Sequence, residues 1–307
     1  MKRDSKILII GRGSLTGMAL SRRLKADGFK KVFTMPARDL ADQAAVGLFF
    51  KKNRPDYVFF MDVKSGGIIA NSTYPAEFIY DNLQAEINVI HAAYKTKVKK
   101  LLFMASSCAY PKKCPQPMKE EYLLNGPLEP TSEAFAIAKI AGMKMCQYYN
   151  RQYGTDFVCA IPATAYGPGD NFDPKTSHVI PGLIRKLHAA KISRQSDVAI
   201  WGSGKPRREF IHVDDLADAV VFIMQKPKTP PVINIGTGSD ISVKELAELL
   251  KDIIDFEGRL KFDRTKPDGA ARKLLDAAKL KSISWTAKAS LKTGLRDLYR
   301  WYLRYAA

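Results

Sequence analysis

Cysteine and histidine side chains can move a proton near neutral pH and a lysine can place a positive charge, and Cys108, His178 and Lys139 are among those this sequence offers. Cys108 follows Ser106 and Ser107 at the end of the apolar run 100–105, and His178 opens the segment Ser177-His178-Val179-Ile180-Pro181. A thiol and an imidazole can each be tuned close to neutral pH, which suits both to proton transfer. Taken singly, Cys108 reads as a small core thiol, His178 as a surface or capping residue, and the two serines as a strand-end turn. Lys139 closes the run Phe135-Ala136-Ile137-Ala138-Lys139, one helical turn beyond a phenyl ring that neither donates nor accepts a proton. Near the start, Gly11-Arg12-Gly13-Ser14-Leu15-Thr16-Gly17 joins an apolar strand to a helix, the place where a dinucleotide phosphate binds in α/β proteins.

The elements that must hold these groups follow from hydrophobic periodicity. Strands are expected at 6–10, 31–34, 56–62, 100–105 and 157–161, as near-continuous apolar runs. Helices are expected between them at 15–27, 41–52, 76–94 and 134–153. Apolar strands alternating with helices predict an α/β fold, a Rossmann-type doubly wound parallel sheet covered on both faces. Beyond about residue 166 the alternation weakens, with a helix at 178–190, a short strand at 197–201 and a helix at 243–255. This pattern predicts a sheet domain over 1–165, rejoined by segments within about 210–235. A smaller C-terminal α/β substrate-binding module is expected from 166–209 and 236–307.

With 307 residues, 46% hydrophobic and 26% charged, the chain has the composition of a globular protein with a sizeable core. Its formal charge of +18 arises from 49 basic and 31 acidic residues spread along the chain. Without a recognition-helix or RNA-binding signature, this charge reads as a basic surface suited to anionic small molecules, not to nucleic acid. No apolar stretch is long enough for a bilayer, and residues 1–10 do not form a signal peptide, so no membrane partner and a cytoplasmic location are expected. Cys108, Cys114, Cys146 and Cys159 form neither a Cys-x-x-Cys pair nor a metal spacing with histidine. Free thiols and no metal site are therefore expected, with Cys146 and Cys159 as core residues.

Several long strings together carry a resemblance. They include Ser65-Gly66-Gly67-Ile68-Ile69-Ala70-Asn71, Ser106-Ser107-Cys108-Ala109-Tyr110-Pro111-Lys112, Ala136-Ile137-Ala138-Lys139-Ile140-Ala141-Gly142 and Tyr166-Gly167-Pro168-Gly169-Asp170-Asn171-Phe172. Arg208-Glu209-Phe210-Ile211-His212-Val213-Asp214-Asp215 and Lys266-Pro267-Asp268-Gly269 extend them into the second half. Across nearly its whole length the chain resembles the GDP-L-fucose synthases, epimerase/reductases acting on GDP-4-keto-6-deoxy-mannose within the extended short-chain dehydrogenase/reductases.

That resemblance implies Cys108 and His178 as the proton-transfer pair and Ser106 as donor to the substrate carbonyl. Phe135 falls where the family has its catalytic tyrosine, four residues before the catalytic Lys139. NADP(H) is the implied cofactor, held by Gly11, Gly13, Gly17, Arg38 and Lys139, with Arg38 toward the 2′-phosphate and Lys139 toward the ribose. The implied GDP-sugar contacts are Ser107, Val179, Arg185, Trp201, Arg208 and Lys273; arginine suits bidentate phosphate contact, lysine a point charge and tryptophan stacking. A homodimer through helices 76–94 and 134–153 is also implied.

Four departures from the family pattern lie on the cofactor and redox side. Ser14 replaces the middle glycine of the turn, where a side chain is expected to obstruct the pyrophosphate. Met61-Asp62-Val63 replaces small alanines, and a carboxylate about 4 Å from a phosphate costs about 4 kcal/mol at an effective dielectric near 20. Ala163 and Ala165 stand where an asparagine and a leucine are usual, and Phe135 lacks the hydroxyl. Three readings are open at this point. The leading one is an epimerase at carbons 3 and/or 5 with reduction weakened or lost. The others are a complete NADPH-dependent epimerase/reductase and a GDP-sugar-binding homologue without turnover.

Overall fold

A computed structural model describes residues 1–174, 176–266 and 268–307, with the backbone alone at 68 and 69. Pro267 and the side chains of Ile68 and Ile69, which belong to the strings above, lie outside the described residues. The first half runs β1 (Lys6–Ile10), α1 (Leu15–Ala26), β2 (Lys31–Thr34), α2 (Gln43–Asn53), β3 (Tyr57–Phe60), α3 (Ile68–Thr73), α4 (Pro75–Lys95), β4 (Lys100–Met104), α5 (Glu133–Tyr153) and β5 (Phe157–Pro162). The second half continues β6 (Thr164–Tyr166), α6 (Val179–Ile192), β7 (Asp197–Trp201), β8 (Arg207–His212), α7 (Val213–Gln225), β9 (Val232–Ile235), β10 (Asp240–Ser242), α8 (Val243–Ile254), β11 (Arg259–Asp263), β12 (Arg272–Lys273), α9 (Ala278–Ser282) and α10 (Leu291–Tyr305).

Six parallel strands form the main sheet in the order β2-β1-β3-β4-β5-β9, the Rossmann-like arrangement expected from the apolar runs. Ile7 to Ile10, Val58 to Phe60 and Leu101 to Phe103 are wholly buried, because helices cover both faces and leave no polar side to the strands. Helix α1 packs with α7, and α4 packs with α5 and α2. After β1 the chain turns out to β2 and then crosses back to β3, so the Gly11–Gly17 turn sits where the strand order reverses. Ligand crevices open at such points, at the carboxyl ends of the strands.

The rest of the chain builds a second layer with its own apolar cluster, in which Ile180, Ile184, Leu187, Leu246, Leu250, Leu295 and Leu298 pack α6 against α8 and α10. Strand β8 pairs with β6, β10 and β12, and β7 pairs with β11. Residues 207–212 therefore join this layer, whereas α7 and β9 return to the main sheet. Among the described residues no helix is long and apolar enough to cross a membrane.

Candidate active site

The first turn is held by its own backbone. Gly11 has φ +78°, and a Cβ there would press on the Asp62 backbone, with its nitrogen at 2.7 Å. Only glycine lets β1 and the end of β3 approach this closely. At Gly13 a Cβ would meet nothing within 4 Å, so the turn's outer face is open. Ser14 does not project into that space. It caps α1, accepting from the Gly17 N–H at 3.1 Å and donating to the Gly11 carbonyl at 2.8 Å. The obstruction expected from a side chain at this position is thus relieved by capping. An open turn facing the positive end of α1 fits a dinucleotide pyrophosphate. Arg38 follows β2 as an exposed side chain whose ionic neighbour is Asp39, at 3.6 Å.

Asp62 is likewise turned into its own loop. Its carboxylate accepts from the Val63 N–H at 2.9 Å and the Ser65 hydroxyl at 2.7 Å.

The redox end is closed. Phe135, in the first turn of α5, is 9% exposed and meets Phe78 of α4 edge-on, with centroids 6.2 Å apart. Lys139, one turn later, is 2% exposed. Its Nζ stands 3.1 Å from Glu86 Oε1, and Glu86 is 1% exposed. Around that ammonium lie the rings of Phe103 at 5.1 Å, Phe135 at 5.5 Å and Phe60 at 6.0 Å from their centroids. Gly142 makes room for the pair, since a Cβ there would fall 2.6 Å from Glu86 Oε2 and 2.6 Å from the Phe103 ring. Burial pushes the Glu86 carboxyl above its ordinary range, the Lys139 charge opposes this, and the Asp62 charge adds to it.

The side that holds Cys108 is more exposed. Two residues past β4, Ser106 caps the short turn 107–109 by accepting from the Cys108 N–H at 3.2 Å. A hydroxyl that accepts still has its hydrogen to donate, so Ser106 remains able to bond a substrate carbonyl. Cys108 and Ser107 are half-buried. Lys273 Nζ reaches to 3.9 Å from Cys108 Sγ. Arg208 is the register partner of Lys273 across β8 and β12. The Arg208 side chain donates to the carbonyls of Arg207 at 2.8 Å and Ala270 at 2.6 Å, and burial lowers its pKa against the pull of Asp268.

His178 occupies the cap position of α6 without capping it. Protein crowds the ring, yet the residue as a whole stays exposed and is not part of the core. This crowding lowers its pKa, opposed by the charge of Asp62. Val179 and Arg185 follow on α6, both half-buried, and Arg185 Nε is buried without a hydrogen-bond partner. Trp201 ends β7 with 58% of its surface exposed and two ammonium groups over its ring, Lys186 at 4.9 Å and Lys266 at 5.8 Å. Cys146 and Cys159 are buried free thiols, and no metal-ligand cluster occurs among the described residues.

The structure thus joins Phe135 to Lys139, and Cys108 to Lys273, which the sequence resemblance placed among the sugar-nucleotide contacts. Sequence reasoning missed Glu86. Its signal was present, because Glu86 shares the apolar stripe Phe78, Asn82, Ala85, Val89 and Ala93 of α4, where a charge needs a buried partner.

Residues 7–236 match the model of the NAD dependent epimerase/dehydratase family. The chain is 50% identical over 304 residues to GDP-L-fucose synthase 1 of Arabidopsis thaliana, covering 98% of this chain and 94% of that protein. It is 46% identical over 309 residues to GDP-L-fucose synthase of Escherichia coli strain K12, covering 97% and 96%. Among solved structures it is similar to a GDP-D-glycero-L-gluco-heptose synthase from Campylobacter jejuni, determined in the presence of NADPH. That match has 39% identity, a TM-score of 0.91 and 99% of both chains covered.

Proposed function

The chain belongs to the GDP-L-fucose synthase family of NAD dependent epimerases/dehydratases, and from that membership we propose that it epimerises carbon 3, carbon 5 or both of a GDP-4-keto-6-deoxy-hexose, with reduction at carbon 4 slowed by the missing hydroxyl at Phe135. The observation that carries this reading is the Lys273 ammonium 3.9 Å from the Cys108 sulfur. Carbons 3 and 5 lie beside the carbonyl, so their protons are acidic. The Cys108 thiolate takes such a proton, and Lys273 donates to the thiolate. The Ser106 hydroxyl bonds the enolate oxygen, and His178 returns a proton from the opposite face. Arg185, Arg208 and the exposed Trp201 ring, with Ser107 and Val179, are the residues we assign to the sugar nucleotide. They come mainly from the module at 166–209 and 236–307, a division supported by its separate apolar cluster.

NADP(H) supplies hydride chemistry at carbon 4 when bound. Gly11, Gly13 and Gly17 would hold its pyrophosphate, Arg38 its 2′-phosphate and Lys139 its ribose. At residue 135 no proton donor is available for the oxygen on carbon 4, which is why we place the weak step there. A second reading, the complete epimerase/reductase, is favoured by the open phosphate turn and by relatives named as synthases. We further read the protein as a cytoplasmic homodimer. The exposed Tyr80 and Ile87 on α4, with Ile137 and Tyr148 on α5, support pairing through those helices.

Incubation with GDP-4-keto-6-deoxy-mannose and NADPH in heavy water, followed by mass spectrometry of the sugar nucleotide, tests these readings together. Carbon-bound deuterium without reduction is the expected result. A reduced product would favour the complete enzyme. An unchanged sugar with GDP-sugar still bound would leave a binding protein and refute both.

A further inference from the structure

Glu86 has no part in the chemistry just described, yet it is among the most buried charged residues of the molecule. Neither carboxylate oxygen makes a well-directed hydrogen bond, although Lys139 Nζ lies in ionic contact with Oε1 at 3.1 Å. Three phenylalanine rings also stand around that ammonium. An ammonium taken from water into such a place needs an opposite charge, because the rings offer only the weaker attraction of their faces. Lys139 has three N–H donors, so contact with Glu86 leaves donors for a second partner. Gly142 is the structural counterpart of this arrangement, since any side chain there would displace the carboxylate.

We propose that Glu86 is the positioning residue for Lys139, holding its ammonium beneath Phe135 between α4 and α5 at the place from which it meets a cofactor ribose. This deepens the reading in which Lys139 contacts NADP(H) and rests on it for the ribose alone; the Glu86–Lys139 placement stands on geometry.

The test is reductive methylation of the folded protein near neutral pH, with mass-spectrometric readout of each lysine. Lys100 serves as internal control. It is also buried, donates to the Lys226 carbonyl at 2.8 Å and is remote from the site in its contacts. In the unaltered protein Lys139 and Lys100 are both expected to resist labelling. Glu86→Gln leaves the ammonium without its counter-charge, so Lys139 should label about tenfold faster or more while Lys100 stays protected. Glu86→Asp, which keeps the charge, should restore protection. Lys139 as protected in Glu86→Gln as in the unaltered protein would overturn the proposal.

Should Lys100 also become labelled, Glu86→Gln has unfolded, and Glu86→Gln/Lys139→Met decides. A double variant more stable than Glu86→Gln upholds the pair, and one no more stable refutes it. Titrations with NADPH and with GDP separate the two readings. Glu86→Gln is expected to weaken NADPH about tenfold and leave GDP unchanged. An unaltered protein that does not bind NADPH would end the cofactor reading, while the labelling would still decide the role of Glu86.

Discussion

Lys139 and Cys108 each face one charged partner, but on opposite sides of the boundary with solvent. Lys139 meets Glu86 where both are almost wholly buried. Cys108 meets Lys273 at half-buried positions on the open side of the site. In the second layer His178 caps nothing and Arg185 Nε has no hydrogen-bond partner among the described residues, and Asp170 keeps one carboxylate oxygen buried and unpaired. Around Lys139, by contrast, the counter-charge is itself buried. The difference teaches that burial separates a pair that fixes where an ammonium stands from a pair whose partners can be exchanged. Breaking a buried pair leaves an uncompensated charge and costs about 3–5 kcal/mol, whereas a half-buried pair can exchange partners with substrate at little cost.

Four substitutions probe that contrast, in order of expected effect. Cys108→Ser should slow solvent deuterium incorporation by about 10²- to 10⁴-fold, the usual worth of a positioned acid or base. Exchange at an undiminished rate would remove Cys108 as the base and with it the chemical half of the comparison.

Asp170 tests whether a buried, partly unpaired carboxylate destabilises the fold. Burial pushes its carboxyl up to about 6 from an ordinary value of 3.8, the Asn171 N–H opposing. The neutral form is favoured in the folded state, so this stabilisation is complete below the unfolded value near 3.8 and is lost as pH rises through about 6. The difference amounts to about 3 kcal/mol. Asp170→Asn should therefore gain stability relative to the unaltered protein between pH 4 and pH 7, read as the difference in urea midpoints. Parallel pH profiles of the two proteins would show that Asp170 finds a partner after all.

Phe135→Tyr returns the hydroxyl to the closed end. Substrate-dependent NADPH oxidation, followed by absorbance, should rise by about a hundredfold, near the worth of one oxyanion donor. Deuterium exchange should change far less. Equal gains in both would mean that the two ends share one proton donor. The smallest effect is expected for Lys273→Met. Loss of a charge-assisted hydrogen bond at a half-buried site should slow exchange about tenfold. A fall in GDP-sugar affinity with exchange untouched would instead return Lys273 to phosphate binding.

Much of this architecture was legible in the sequence. The apolar runs at 6–10, 100–104 and 157–161 are strands because only a sheet buried on both faces tolerates them, whereas 31–34 forms an edge strand with no fully buried residue. The long helices at 75–95 and 133–153 follow from their apolar stripes. Strands β6, β10 and β12 were missed because two or three residues show no periodicity. Helix α10 also went unread. At the site, Cys108 and His178 are candidates because of the strings around them and not because of their types. Ser14 and Asp62 were recognised as departures, but the direction of their side chains depends on the hydrogen bonds of the folded loop.

The sequence by itself determined the parallel sheet, the glycine turn where its order reverses, and membership of a sugar-nucleotide epimerase family. These features rest on patterns repeated within a few turns or strands of the chain. Tertiary structure decided which charges meet. Lys273 lies 165 residues from Cys108, and the two come together where Met118 bridges Leu275 and Gln116 accepts from the Leu274 N–H. Glu86 meets Lys139 because α4 and α5 pack closely enough at Gly142 to bring the two charges into ionic contact. Local periodicity says which face of an element is buried. Only the assembled fold says what lies opposite that face, and here that opposition separates a lysine held in the interior from one that serves the cleft.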